Sequence, residues 1–106
     1  MFESLRKLFG GSPKKSIEQL MSEGAVIVDV RSPGEYASGH IKKSINIPLQ
    51  SLATGFNKLD RNKPVITCCA SGMRSASAKS MLKSKGFVEV RNGGSWVSLR
   101  RYEGGL

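Results

Sequence analysis

Four consecutive positions, Ala25-Val26-Ile27-Val28, are apolar with no polar residue between them. A strand that buries one face alternates apolar and polar residues, so an uninterrupted run describes a strand buried on both. Two covered faces imply a parallel sheet with helices packed on either side. Further short strands are expected at Ser44-Ile45-Asn46-Ile47-Pro48, where proline stops the run, at Val65 to Cys68, and at Phe87-Val88-Glu89-Val90.

Helical signals fill the intervals. Ser16-Ile17-Glu18-Gln19 has the Ser-x-x-Gln form of a capping box; Ile17, Leu20 and Met21 make an apolar stripe, and Gly24 stands where a helix ends. Ser32-Pro33-Gly34-Glu35 combines a Ser-x-x-Glu box with proline at the first helical position, opening a one-turn helix that ends near Gly39. Leu49, Leu52, Phe56 and Leu59 form a looser amphipathic segment weakened at Gly55, and Asp60 to Pro64 is a turn cluster. Ser75 to Lys85 reads as a helix with Ala78, Met81 and Leu82 on its buried side and Gly86 as terminator. The alternation makes this an α/β chain, with a parallel sheet of four to five strands, helices on both faces and right-handed crossovers. A reactive site in such a sheet lies beyond the carboxyl ends of the strands.

With 106 residues the chain can build one core without disulfide support, and residues 14–106 are read as that single domain. Residues 1–13 set Phe2, Leu5, Leu8 and Phe9 at helical spacing and then break at Gly10-Gly11-Ser12-Pro13, marking a short amphipathic arm. The two cysteines are neighbours, so neither a framework disulfide nor a metal site is expected. No apolar run approaches the ~20 residues of a membrane span, and the amino terminus lacks a long secretory core. A reducing cytoplasm is the expected compartment, and it suits a thiol that must stay free. The net charge of +9 comes from 17 Lys and Arg scattered along the chain, with only pairs such as Lys14-Lys15. That distribution suits small anions better than nucleic acid, and nothing in it demands more than a monomer.

The chemistry concentrates in Thr67-Cys68-Cys69-Ala70-Ser71-Gly72-Met73-Arg74-Ser75, a strand-to-helix turn. A cysteine there meets unpaired backbone N–H groups, the positive end of a helix dipole and a nearby guanidinium, all of which favour the thiolate and would hold an anion beside it. Gly72 lets the backbone curl, and Ala70 and Ser71 are small enough not to shade the sulfur.

The run from Cys69 to Arg74 resembles the active-site loop of the rhodanese family of sulfurtransferases, in which a six-residue loop starts at the catalytic cysteine and ends at an arginine. Val28-Asp29-Val30-Arg31, Glu35-Tyr36, Gly39-His40-Ile41 and Asn46-Ile47-Pro48 resemble that family's amino-terminal signature, and Asn92-Gly93-Gly94-Ser95-Trp96 its glycine–aromatic motif. The resemblance spans roughly residues 15 to 100 and implies the rhodanese-like fold and thiosulfate sulfurtransferase activity. The family commonly has a second aromatic near Leu99; here a packing change is expected, with Trp96 and Leu99 under the loop and Arg100 and Arg101 facing water.

Sulfur transfer needs a thiolate to attack the outer sulfur of a donor, a pocket for the dianion and stabilisation of the resulting persulfide. Cys69 is the candidate nucleophile, and the amides of Ala70, Ser71, Gly72, Met73 and Arg74 the candidate pocket. The Arg74 side chain can either neutralise the donor or lock the loop. Asp29, Arg31 and Ser75 are supporting residues, with Asp29 bonding loop N–H groups and Arg31 pairing with Glu35; the lone His40 is read as packed and hydrogen-bonded. The chemistry needs no cofactor, metal or general base. Its partners are a small anionic sulfur donor and a small thiol, a thioredoxin-like protein or, in the assay, cyanide as acceptor.

Two other classes compete. Counting from Cys68 gives Cys-x5-Arg-Ser, the pattern of cysteine-dependent phosphatases, and rhodanese-like domains also serve as non-catalytic binding modules. In the rhodanese family the residue before the nucleophile ends the strand, a place Cys68 would occupy here, so the resemblance favours Cys69; neighbouring strand side chains point to opposite faces, which leaves Cys68 buried and inert. The sulfurtransferase reading requires Cys69 to be ionised near neutrality and open to solvent.

Overall fold

A computed structural model describes residues 14–105. The expected arm over residues 1–13, and Leu106, lie outside the described residues. The order of elements is α1 (Ile17–Ser22), β1 (Val26–Asp29), α2 (Pro33–Ala37), β2 (Ile45–Asn46), a 3-10 turn (Leu49–Ser51), α3 (Leu52–Gly55), a second 3-10 turn (Phe56–Lys58), β3 (Val65–Cys69), α4 (Met73–Ser84), β4 (Val90–Ser95) and a carboxy-terminal 3-10 segment (Trp96–Gly105).

Both capping boxes form as read. Ser16 accepts from the Gln19 amide while the Gln19 side chain accepts from the Ser16 amide, and Ser32 and Glu35 repeat the exchange with Pro33 opening α2. Gly24 and Gly86, at φ of 88° and 89°, take the left-handed conformation that ends α1 and α4. The amphipathic segment after Pro48 breaks as its glycine suggests, one α-turn ending at Gly55 between two 3-10 turns.

The sheet is wholly parallel in the order β2-β1-β3-β4. Register aligns Asp29 with Asn46 on one side and with Cys68 on the other, so the carboxyl ends of β1 and β3 lie together. Because β2 lies to one side of β1 and β3 to the other, the chain reverses its direction of travel across the sheet between them. The crevice at such a reversal is where ligands of open α/β sheets bind.

Period-two side-chain placement divides the core between two faces. Val28, Val65 and Cys69 join Leu52, Ala78 and Leu82 on one; Ile27, Ile66 and Cys68 join Leu20, Ile41 and Leu99 on the other. The adjacent cysteines therefore point to opposite sides of the same strand.

The last strand departs from its expected position. Phe87-Val88-Glu89-Val90 looked like a strand because it is largely apolar, yet pairing begins at Val90 and runs through the two glycines to Ser95. The register slips between Thr67 and Cys69, and a Cβ at Gly93 would stand 2.8 Å from Ile66 Cγ2 and 2.9 Å from the Thr67 carbonyl. Only glycine lets β4 approach that closely, so the weak strand former is what this strand requires. Leu99 fills the neighbouring space, with Cδ1 3.1 Å from that same Cβ position, and is buried as expected.

Candidate active site

β3 carries Cys69 as its last residue, one further than expected, and α4 begins only four residues later at Met73. Gly72 caps α4 at φ 107°, a left-handed value that bends the chain back over the end of β3. As a result the Gly72 N–H donates to Cys69 Sγ at 2.9 Å, and the Ser75 hydroxyl, one turn along, lies 3.6 Å from the same sulfur.

Ser75 is fully buried and held from three directions. Its hydroxyl bonds the Gly72 carbonyl at 3.1 Å and Asn92 Oδ1, and its carbonyl accepts from the Thr67 hydroxyl at 2.9 Å. Asn92 also donates from Nδ2 to the Gly72 carbonyl at 3.2 Å and accepts from the Gly94 amide at 2.8 Å. The glycine-rich β4 is thereby tied to the loop that covers the cysteine. Asn92 belongs to the glycine–aromatic motif, whose pattern does not reveal this role: its amide fixes both Ser75 and the cap of α4.

Burial opposes ionisation of Cys69, but the Ser75 amide and hydroxyl, then the Gly72 and Ser71 amides, outweigh it and leave its pKa below that of an ordinary thiol. The guanidinium expected to assist is committed elsewhere. Arg74 meets Glu35 through two parallel bonds, Nη1 to Oε1 at 2.7 Å and Nη2 to Oε2 at 3.0 Å. Glu35 is held down to about 2 by Arg74 first and then by the Ser32 amide and hydroxyl.

This replaces the expected pairing of Arg31 with Glu35. Arg31 instead grips Asp29, with Nε 3.0 Å from both carboxylate oxygens and Nη2 2.7 Å from Oδ2, while the Arg31 amide donates to Oδ1 at 3.0 Å. Its remaining hydrogens reach the carbonyls of Glu35 and Gly39 at 3.2 and 2.7 Å, and its guanidinium stacks on Trp96 at 4.7 Å. Asp29 and Arg31 are thus a buried brace from β1 to α2. Glu35 sits on α2 and clamps Arg74, so the brace supports the far end of the loop.

A second expectation fails. Cys69 was required to be open to solvent, and its exposed surface is 0%. The Gly72 turn that aims an amide at the sulfur also covers it. Ala70 and Ser71 are exposed at the surface of the loop, and the Met73 side chain, 79% exposed, projects into solvent beside it. Cys68 is also 0% exposed, and burial, followed by the Asp29 charge, pushes its pKa up to about 12. His40 is stacked on Tyr36 at 3.8 Å with Nδ1 2.7 Å from the Tyr36 carbonyl; it is hydrogen-bonded as read, but on the surface. Among the described residues no cluster of three or more His, Cys, Asp or Glu side chains could hold a metal, and no helix is long and apolar enough to cross a membrane.

An amide-lined cysteine at the carboxyl edge of a parallel sheet, closed by an arginine, is the arrangement the loop resemblance implies. The rhodanese-like domain family model matches residues 12–100, and the chain belongs to that family. It is similar to thiosulfate sulfurtransferase GlpE of Pseudomonas syringae pv. syringae, 36% identical over 78 residues that cover 74% of each chain. Among solved structures, a rhodanese with anions from E. coli superposes with a TM-score of 0.66 at 32% identity, covering 70% of this chain and 89% of its own. Human single-domain sulfurtransferase TSTD1 superposes with a TM-score of 0.67 at 26% identity, covering 86% and 97%.

Proposed function

We propose that this rhodanese-family sulfurtransferase takes a sulfane sulfur from thiosulfate onto Cys69 and passes it to a small thiol, a thioredoxin-like protein or, in the assay, cyanide. The observation that carries this reading is the Gly72 amide 2.9 Å from Cys69 Sγ, with the Ser75 hydroxyl behind it, in a loop that favours the anion. The thiolate attacks the outer sulfur of thiosulfate; the new S–S bond forms as the old one breaks, and sulfite leaves with the electron pair. The persulfide anion left on Cys69 lies among the amides of residues 70–74, and no proton transfer is required. An acceptor thiolate or cyanide then attacks the terminal sulfur, and Cys69 departs as the thiolate it was.

With Arg74 engaged by Glu35, its side chain locks the loop, and the backbone amides take the anion. Because Sγ is enclosed, the donor reaches it only when the loop over it opens, and Ala70 and Ser71 are the exposed residues of that loop next to Cys69. Similarity to thiosulfate sulfurtransferase GlpE supports thiosulfate as donor, and a cytoplasmic setting suits the free thiol.

The phosphatase reading loses support because Cys68 faces the other core with its pKa raised to about 12. Mass spectrometry after thiosulfate incubation tests the proposal. Cys69 should gain one sulfur atom, with sulfite released, and Cys69→Ser should neither gain sulfur nor turn over, while Cys68→Ser does both. Absence of adduct and turnover in the native chain would leave a binding module. Aryl-phosphate hydrolysis that survives Cys69→Ser but not Cys68→Ser would leave a phosphatase.

A further inference from the structure

At the opposite end of the sheet from Cys69 lies a cavity of about 290 Å³ lined by Lys14, Lys15, Lys79, Lys83, Glu89, Val90 and Arg91. Its position follows from register. Val90 pairs with Val65 at the start of β3, whereas Cys69 pairs with Ser95 at its end. Four residues of strand, about 13 Å, separate the two levels.

Five cations line this concave surface against a single carboxylate. Arg91 and Glu89 approach only to 3.9 Å, and Lys15 is turned to Glu23 at 2.9 Å. Among the described residues Lys79 and Lys83 make no ion pair, and they stand four residues apart on the same side of α4, a spacing at which like charges repel. The repulsion registers at Lys79, whose pKa is lowered first by burial and then by Lys83, Lys14 and Arg91. Packing does not call for this convergence; Lys14, Lys15 and Lys83 are all exposed. A multivalent anion would relieve it. Cavities that hold drug-sized ligands run from about 300 to 1,000 Å³, so this one takes a compact group.

The geometry points to a second anion site, separate from the cysteine loop, in which Lys79, Lys83, Lys14 and Arg91 hold a short chain of phosphates. Free polyphosphate and the 5′-triphosphate of a nucleotide present the same chemistry. Cations on three separate elements, the segment before α1, one side of α4 and the start of β4, match several phosphates in a row better than one.

Calorimetric titration of the full chain at low ionic strength with inorganic tripolyphosphate tests this. One equivalent should bind, with affinity that falls as salt rises. Lys79→Gln/Lys83→Gln should weaken it roughly tenfold or more, with a thermal midpoint no lower than that of the native chain and unchanged thiosulfate turnover, and Cys69→Ser should bind as the native chain does. ATP run in parallel separates the sources: equal affinity assigns the site to the phosphate chain alone, and tighter binding to a nucleotide, both within the proposal. It is overturned if tripolyphosphate does not bind, or if binding survives the lysine changes, whether or not Arg74→Ala then abolishes it. Binding confined to a single-stranded oligonucleotide or to an acidic peptide would overturn it as well.

Discussion

Cys68 and Cys69 start with the same thiol and are driven in opposite directions by the faces they occupy. Cys68 enters an apolar core beside the Asp29 carboxylate, and both burial and charge disfavour its anion. Cys69 is equally enclosed, but by amides and a hydroxyl that stabilise the anion more than burial destabilises it. Alkylation by iodoacetamide, followed by peptide mass spectrometry across pH, should modify Cys69 with a midpoint below the ordinary thiol value of 9.0 and leave Cys68 untouched in the folded chain. The acid limb of turnover should follow the same midpoint. Glu35, lowered to about 2, favours the folded state in its ionised form; that contribution is complete above its ordinary value of 4.5 and is lost only as pH falls through about 2. The Arg74 lock therefore stays intact through mild acid, and a carboxyl NMR titration of Glu35 with its midpoint near 4.5 would contradict this. The turn that gathers amides around Cys69 was legible in local chain chemistry. The partner of Arg74 was not, because the guanidinium and carboxylate lie 39 residues apart and meet only when α2 folds over the sheet end.

Among the elements, α1 and α2 begin and end as their caps dictate, since a capping box is closed by residues three positions apart. β4 obeys no such local rule. Its glycines are poor strand formers in isolation, and their place in the sheet follows from how near β4 must come to Ile66 and Thr67. Gly93→Ala should cost about 1–3 kcal/mol by overpacking, read as a lower urea midpoint with unchanged slope. Gly94 has open space around its Cβ position but a φ of 78°, so Gly94→Ala should cost about 1 kcal/mol for backbone conformation alone. Equal losses at the two positions would show that the close approach at Gly93 is not what sets its identity.

For the whole molecule, the buried brace of Asp29 and Arg31 joins the end of β1 to α2, whose Glu35 clamps Arg74. Arg31→Met should destabilise the fold by about 3–5 kcal/mol, since it strands a carboxylate with 0% exposure. Lys15→Met, which breaks the exposed pair with Glu23, should stay within about 1 kcal/mol. Chemical denaturation of both variants checks the contrast, and a brace variant as stable as the native chain would remove Arg31 from its supporting role. By itself the sequence determined the α/β class, the parallel sheet, the helix caps, the loop from Cys69 to Arg74 and the burial of Cys68. All but the loop follow from hydrophobic period, strand alternation or interactions spanning a few residues; the bounds of the loop follow from its resemblance to the rhodanese active-site loop. Tertiary structure alone decided that Glu35 clamps Arg74, that Asn92 anchors Ser75, that the Gly72 turn closes over the sulfur it activates, and that five scattered cations share one cavity. Those outcomes depend on which strand ends and helix faces are brought within a few ångströms of one another, a distance that separation along the chain does not encode.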